Sequence, residues 1–182
     1  YTPNGLRETI TDGRGTTRYQ YDARDRLIRR TDPDGRQIAY DYDDAGNRTS
    51  VKIPSGTTTY AYDSLNRLSL VTDPAIARTQ YHYDAIGRLV QTDMPNATVE
   101  TRQYDQLHRL AYLEHAGPHD VIASYSYELD DVGNRIAVTE QNGRRVEYAY
   151  DELYRLIGES ISDATGGDRT IEYTYDPVGN RL

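Results

Sequence analysis

The sequence predicts an all-β fold, an antiparallel β-hairpin solenoid of about eight repeats. Three observations carry this prediction. Tyr-x-Tyr occurs seven times, mostly at intervals near 21 residues. Gly, Pro or Asn-Gly punctuates the chain about every ten residues, which leaves no room for ordinary helices. Between these marks lie segments of six to eight residues, rich in Thr, Tyr, Ile and Val, with period-two alternation.

The first series of turns follows the tyrosines. The pairs are Tyr19/Tyr21, Tyr40/Tyr42, Tyr60/Tyr62, Tyr81/Tyr83, Tyr125/Tyr127, Tyr148/Tyr150 and Tyr173/Tyr175, with Tyr104 after Arg102-Gln103 as a degenerate copy. Asp follows the second Tyr directly at Asp22, Asp43, Asp63, Asp84, Asp105, Asp151 and Asp176. In the remaining copy, Tyr127-Glu128-Leu129-Asp130, it arrives two residues late. Three positions after each Asp stand Asp25, Gly46, Asn66, Gly87, His108, Gly133, Tyr154 and Gly179. All but Tyr154 are residues that tolerate positive φ, so each site is a tight turn with one left-handed residue, and Tyr154 is expected to be strained. An Arg follows at once or one residue later, at Arg26, Arg48, Arg67, Arg88, Arg109, Arg135, Arg155 and Arg181.

A second series of turns lies midway between these. It comprises Thr31–Gly35, Pro54–Gly56, Thr72–Pro74, Asp93–Asn96, His115–His119, Gln141–Gly143 and Asp163–Gly167. Asp-Pro-Asp-Gly suits a type I turn ending in a left-handed glycine, and Asn-Gly suits a tight hairpin turn. This series varies in length, whereas the first barely does. The connecting segments, such as Arg36–Tyr42 and Thr57–Tyr62, read as strands, with both rings of each Tyr-x-Tyr on one face. Each repeat is thus one hairpin of a continuing antiparallel sheet, about 17 strands in all.

Composition sets the outer limits. The chain has 182 residues, with Leu, Ile and Val making up about 18%, near the level where disorder becomes a fair reading. Eighteen Tyr and a net charge of only −8 oppose disorder and point to a core of Tyr, Leu and Ile. Cysteine is absent, which excludes disulfides and thiolate chemistry. The acidic balance argues against nucleic acid, and no apolar run approaches a membrane span. Of 21 basic residues only Lys52 is lysine. Arg offers carboxylates a planar fork and stacks on rings, so this bias fits a structural ladder of Arg, Asp and Tyr.

Tyr83-Asp84-Ala85-Ile86-Gly87-Arg88-Leu89 resembles the YD repeat, also called the Rhs repeat. Asp43-Asp44-Ala45-Gly46-Asn47-Arg48 and Asp176-Pro177-Val178-Gly179-Asn180-Arg181 look like the same repeat with one extra residue. The match recurs eight times across the chain. The family includes bacterial Rhs polymorphic toxins, the C component of insecticidal Tc toxin complexes, wall-associated proteins and teneurins. The resemblance implies a strip of hairpins spiralling into a hollow shell, barrel or tube, which in the toxins encloses a C-terminal toxic domain. Shell-forming members carry an autoproteolytic aspartate in an Asp-Pro-x-Gly-Leu-rich segment. This chain has none, so that activity is not carried over. The array starts and stops midway through a repeat, so 1–182 is expected to be a single YD-repeat array from a much larger protein.

No catalytic constellation and no cofactor site stand out, and the chain is expected not to be an enzyme. A residue that recurs eight times in one local context is a poor choice for a unique active-site role. The repeated Tyr, Asp, Gly and Arg are read as structural anchors. His115, His119 and Asp120 share a loop, but a metal centre needs three or four converging ligands and Gly117-Pro118 between the histidines does not bring them together. Asp32, Asp34, Asp41, Asp43 and Asp44 lack the spacing of a calcium loop. Asn47-Arg48-Thr49 and Asn96-Ala97-Thr98 match a glycosylation sequon.

The expected function is a structural wall segment of a secreted or surface-exposed bacterial protein, a toxin-encapsulating shell first. The alternative is an extracellular tube, fibre or adhesin that binds glycans through exposed Tyr rows. Seventeen strands at roughly 4.8 Å make a strip of about 80 Å. Closed into one ring it has a radius of about 13 Å, too small for a folded domain. The segment alone is therefore an arc of wall. Expected partners are neighbouring repeats of the parent chain, or further copies pairing through uncapped strands, with an enclosed toxin domain and glycans as additional ligands.

Overall fold

The computed structural model describes all 182 residues. The chain divides into two compact units, Tyr1–Tyr81 and His82–Leu182. Every regular element is a β-strand, and strand order is chain order with no crossover. This follows from turns too short to reach anything but the neighbouring strand.

The first unit holds β1 (Thr9–Asp12), β2 (Gly15–Tyr21), β3 (Leu27–Thr31), β4 (Gln37–Tyr42), β5 (Arg48–Ile53), β6 (Gly56–Tyr62), β7 (Leu68–Thr72) and most of β8 (Arg78–Tyr83). The pairings there are antiparallel. The hairpin at Asp12-Gly13-Arg14-Gly15 extends the second turn series by one member that the sequence reading overlooked, although Asp-Gly signals it.

The second unit holds β9 (Leu89–Asp93), β10 (Val99–Tyr104), β11 (Leu110–Ala116), β12 (Val121–Leu129), β13 (Arg135–Glu140), β14 (Arg145–Tyr150), β15 (Leu156–Ser162) and β16 (Arg169–Glu172). The strands number 16 rather than 17. Beyond β16 the last repeat keeps its turn but only a single bridge, Tyr175 to Arg181.

Register assigns the side chains to the two faces of the sheet. On one face of β4 lie Ile38, Tyr40 and Tyr42, opposite Arg30, Val51 and Arg48. On the other lie Ala39 and Asp41, opposite Arg29, Lys52 and Ser50. In the second unit Val146, Tyr148 and Tyr150 face Ile161, Glu159 and Leu156, while Glu147 and Ala149 face Ser160 and Gly158. One face therefore gathers the Tyr, Ile, Val and Leu side chains, with Arg30, Arg48 and Glu159 among them, and the other holds polar and small residues. A single sheet layer has no second layer to pack on, so full burial is scarce. The apolar core is Ala137, Val138, Val146 and Ile161, all on β13 to β15. Elsewhere cross-strand pairs hold the sheet.

Six hairpins of the first turn series also carry a bulge at the second Tyr position. The register shifts at Gln20/Tyr21, Asp41/Tyr42, Ala61/Tyr62, Gln103/Tyr104, Glu128/Leu129 and Ala149/Tyr150. Bulges bend a strand and increase its right-handed twist, so the kink recurs at one level in these six repeats.

Candidate functional site

The feature that recurs is the turn after the tyrosines, and its geometry starts from one carboxylate. In the turn after β6, the Asp63 amide donates to the Arg67 carbonyl at 2.9 Å, and the Asn66 amide donates back to the Asp63 carbonyl at 3.0 Å. This is a three-residue hairpin loop, a type I turn closed by a left-handed residue. Asp63 Oδ1 accepts the Leu65 and Arg67 amides at 2.9 and 3.0 Å, and Oδ2 accepts Arg67 Nε at 2.7 Å. Asp22 with Arg26, Asp84 with Arg88, Asp105 with Arg109 and Asp151 with Arg155 repeat that Nε bond at 2.6–2.7 Å.

All eight expected left-handed positions have positive φ: Asp25 61°, Gly46 95°, Asn66 59°, Gly87 91°, His108 63°, Gly133 99°, Tyr154 59° and Gly179 92°.

Two readings need correction. The copies at Asp43, Asp130 and Asp176 contain no extra residue. Their Asn47, Asn134 and Asn180 stand where the other copies have Arg, and each donates its side-chain amide to the same carboxylate oxygen, at 3.0, 2.8 and 2.8 Å. Arg48, Arg135 and Arg181 occupy the next position, which is Leu27, Leu68, Leu110 or Leu156 elsewhere. They do not tie the turn. They lie over the rings of Tyr60, Tyr127 and Tyr173 at 5.2, 4.4 and 5.1 Å. Nor is Asp130 late. Leu129 pairs with Arg135 as Tyr42 pairs with Arg48, so Leu129 fills the second Tyr position, and Tyr125 is an additional residue on a longer strand.

The second tyrosines close the gap between hairpins. Where the β3–β4 ladder stops at Arg29 and Ala39, the Tyr42 hydroxyl donates to the Leu27 carbonyl at 2.9 Å. Tyr21, Tyr62, Tyr104, Tyr150 and Tyr175 donate to the carbonyls of Arg7, Arg48, Leu89, Arg135 and Leu156 at 2.7–3.0 Å. Tyr83 occupies the same position of its repeat. Arg26, Arg88 and Arg155 lie over the rings of Tyr42, Tyr104 and Tyr175 at 4.6–4.7 Å. One Arg thus serves its own turn and the ring of the next repeat. Neighbouring turns are also linked directly. Arg26 Nη1 donates to the Asp43 carbonyl at 3.1 Å, Arg109 Nη1 to the Asp130 carbonyl at 2.5 Å and Arg88 Nη1 to His108 Nδ1 at 2.9 Å.

Backbone and side-chain donors hold all eight turn carboxylates below the ordinary Asp value. The largest influence on Asp22, Asp63, Asp105 and Asp151 is the backbone amide four residues on, and on Asp43 and Asp176 it is the Asn side chain. For Asp84 and Asp130 desolvation is largest and pushes upward, but the combined donors outweigh it. Carboxylates held ionised by such donors make weak general bases.

The other residues singled out in the sequence are separated or already engaged. His115 Nδ1 lies 3.5 Å from Glu100, while His119 and Asp120 are exposed in their loop. Asp32 pairs with Arg30, Asp34 with Arg36, and Asp41 accepts the Ser50 hydroxyl at 2.6 Å. Nowhere do three or more His, Asp or Glu side chains converge as metal ligands. The Asn47 amide is held by Asp43 and Asn66, and Asn96 accepts the Thr98 amide. No helix is long and apolar enough to cross a membrane.

A meander of two-stranded hairpins, each closed by the same Asp-centred turn and tied to the next by Tyr and Arg, defines a hairpin-repeat structural protein. The RHS Repeat family model matches residues 1–37, 21–58, 42–75 and 130–168, and the chain belongs to this Rhs-repeat family. No curated protein sequence matches it. Among solved structures, TcdB2-TccC3-TEV is similar with a TM-score of 0.77 at 19% identity, covering 96% of this chain and 11% of that one. TcdB2-TccC3 without its hypervariable C-terminal region is similar at 0.75 and 18%, covering 92% and 11%. The Tc holotoxin pore of Photorhabdus luminescens is similar at 0.54 and 22%, covering 91% and 9%. The chain therefore spans about a tenth of the length of these proteins and shares their fold.

Proposed function

We propose that this chain is a section of the wall of a secreted Rhs-repeat shell, one that encloses a toxic cargo and keeps it apart from the producing cell. The observation that carries this reading is the fold match over 96% of the chain to a Tc toxin component. Two features support it. The turn carboxylates, their Arg or Asn partners and most of the second tyrosines bond within their own turn or to a neighbouring repeat, which suits a surface built of repeats. The aromatic–aliphatic and polar faces also differ, as the inner and outer sides of a wall would.

In this reading the repeated Tyr, Asp, Gly and Arg positions are structural anchors, the chain is one array within a longer protein, and it holds no catalytic centre or cofactor. Its cargo is a polypeptide held in an extracellular particle. The test is electron microscopy of the protein purified from its source, in its natural length. Closed hollow particles with internal density are expected. Long open tubes or fibres without internal density would overturn the shell and leave adhesion or scaffolding as the task. Saturable glycan binding that is lost when Tyr rings are removed would then identify an adhesin.

A further inference from the structure

Strands β2 to β6 carry their tyrosines on one face, so the alternate residues form the other. On that second face one row of paired residues runs Gln20, Arg29, Ala39, Lys52, Thr57 from strand to strand. The adjoining row, two residues along each strand, runs Arg18, Thr31, Gln37. Arg29 and Lys52 are thus two strands apart, about 10 Å, with only the Ala39 methyl between them. Arg18 is the diagonal neighbour of Arg29, about 7–8 Å away. A groove of about 220 Å³ opens over Ala39, lined by Arg29, Gln37, Ala39, Lys52, Ile53 and Pro54.

These cations differ from most others in the chain. Elsewhere in the first unit Arg14, Arg26, Arg30, Arg36 and Arg67 pair with carboxylates. Arg24 donates to the Asp44 carbonyl, and Arg48 lies over the Tyr60 ring. On the tyrosine-free face of the second unit Arg145 is held by Glu128 and Glu147, and His82 by Asp93. The Arg18, Arg29 and Lys52 side chains make no hydrogen bond, ion pair or ring contact, and all three are exposed. One carboxylate shares their face of β2 to β6, Asp41, and it accepts the Ser50 hydroxyl at 2.6 Å. In a chain of net charge −8, three neighbouring positive charges are therefore left without a partner, and like charges side by side repel.

We propose that Arg18, Arg29, Gln37 and Lys52 form a binding site for an anionic glycan, with a sulfate or phosphate ester seated over Ala39 between Arg29 and Lys52. The site goes beyond the shell reading and does not depend on it. Two long cationic side chains rooted about 10 Å apart both reach a tetrahedral oxyanion midway between them, Arg as a planar fork and Lys as a point charge. Arg18, in the adjoining row, meets the next anionic group. The neighbouring residues select the carrier. Gln20, Thr31, Gln37 and Thr57 offer amides and hydroxyls, which suit the hydroxyls of a sugar. No aromatic ring lies on this face of β2 to β6 for a nucleic-acid base to stack on. Its apolar side chains, Ala39 and Ala61, are too small to insert into a lipid surface.

Fluorescence anisotropy of a labelled heparin hexasaccharide titrated with the 182-residue chain tests this. Saturable binding that weakens as salt rises is expected. The desulfated hexasaccharide should not bind, and a phosphorylated mannose hexasaccharide shows whether phosphate or sulfate is the group held more tightly. Arg29→Gln with Lys52→Gln should weaken binding about tenfold or more, with an unchanged far-UV spectrum because neither side chain has a partner in the fold. Arg78→Gln with Arg169→Gln removes the same charge from exposed positions on β8 and β16, away from the groove, and should change binding less than about twofold. No saturable binding of either charged saccharide, an equal loss in the two double variants, or tighter binding of a short single-stranded DNA than of either saccharide would each overturn the proposal.

Discussion

At Tyr154 the backbone sits at φ 59°, a conformation that Gly tolerates and a bulky side chain does not, yet the ring is mostly exposed. Tyr154→Gly should therefore stabilise the chain by about 0.5 kcal/mol, the relief of left-handed strain less the entropy that glycine adds to the unfolded state. Gly87, at φ 91°, is the counter-case. Gly87→Val should cost more than about 1 kcal/mol. Urea titrations of dilute protein measure both, and equal midpoints for wild type and Gly87→Val would remove the turn assignment. The eight left-handed positions of this series were legible because seven hold residue types that accept positive φ. Ile76 at 67° and Ala97 at 61° were not, since neither residue signals it. There the Asp73 and Met94 carbonyls accept the Ile76 and Ala97 amides, and the loop closure dictates the conformation.

Between hairpins the element that matters is the second Tyr. Tyr150→Phe removes the hydroxyl that serves the Arg135 carbonyl at 2.8 Å and should cost about 0.5–1.5 kcal/mol. The second turn series has its own contact. A methyl group on Gly56 would lie 2.4 Å from Pro74 Cβ, whereas one on Gly13 meets nothing within 4 Å. Gly56→Ala should cost about 1–3 kcal/mol by overpacking and strain, and Gly13→Ala little. Thermal melts of the pair check this. A Gly56→Ala midpoint equal to that of Gly13→Ala would show that the two turns do not pack. The hairpins themselves were readable from tyrosine spacing and turn residues. Which side chain ties each turn was only partly readable. Asn47, Asn134 and Asn180 take over the Arg role by donating from the same backbone position, and a scan for the nearest Arg misses that substitution. Leu129 hid the sixth repeat's register for a similar reason, because an apolar side chain can replace a ring where no hydroxyl is offered.

Across the whole molecule, full burial is rare and the turn carboxylates are many. Each of the eight Asp residues has a folded value below its ordinary 3.8, and Asp163 is drawn down to about 2, chiefly by the Gly166 amide. Near and below pH 4 the unfolded chain then binds more protons than the folded one. The stability these groups provide is fully present above pH 4 and is lost as pH falls through the depressed values. Urea midpoints should hold from pH 7 to pH 5 and fall steeply between pH 4 and pH 2. A midpoint that stays flat to pH 2 would show that the carboxylate network contributes nothing. This whole-molecule property was legible only in outline. The recurring Asp was visible, but the number of donors each one gathers depends on loop closure, which spacing alone does not give.

Strand order that follows chain order has a mechanical consequence. Within either unit each strand is bonded only to the strands before and after it. Force applied at the two ends of the unit would load its terminal ladder first, one residue pair at a time, like opening a zipper. Each released hairpin would hand the load to the next. Such a sheet yields at low force in steps of one repeat and can re-form in the same steps. Its resistance to stretching must come from whatever braces its edges, not from the sheet alone.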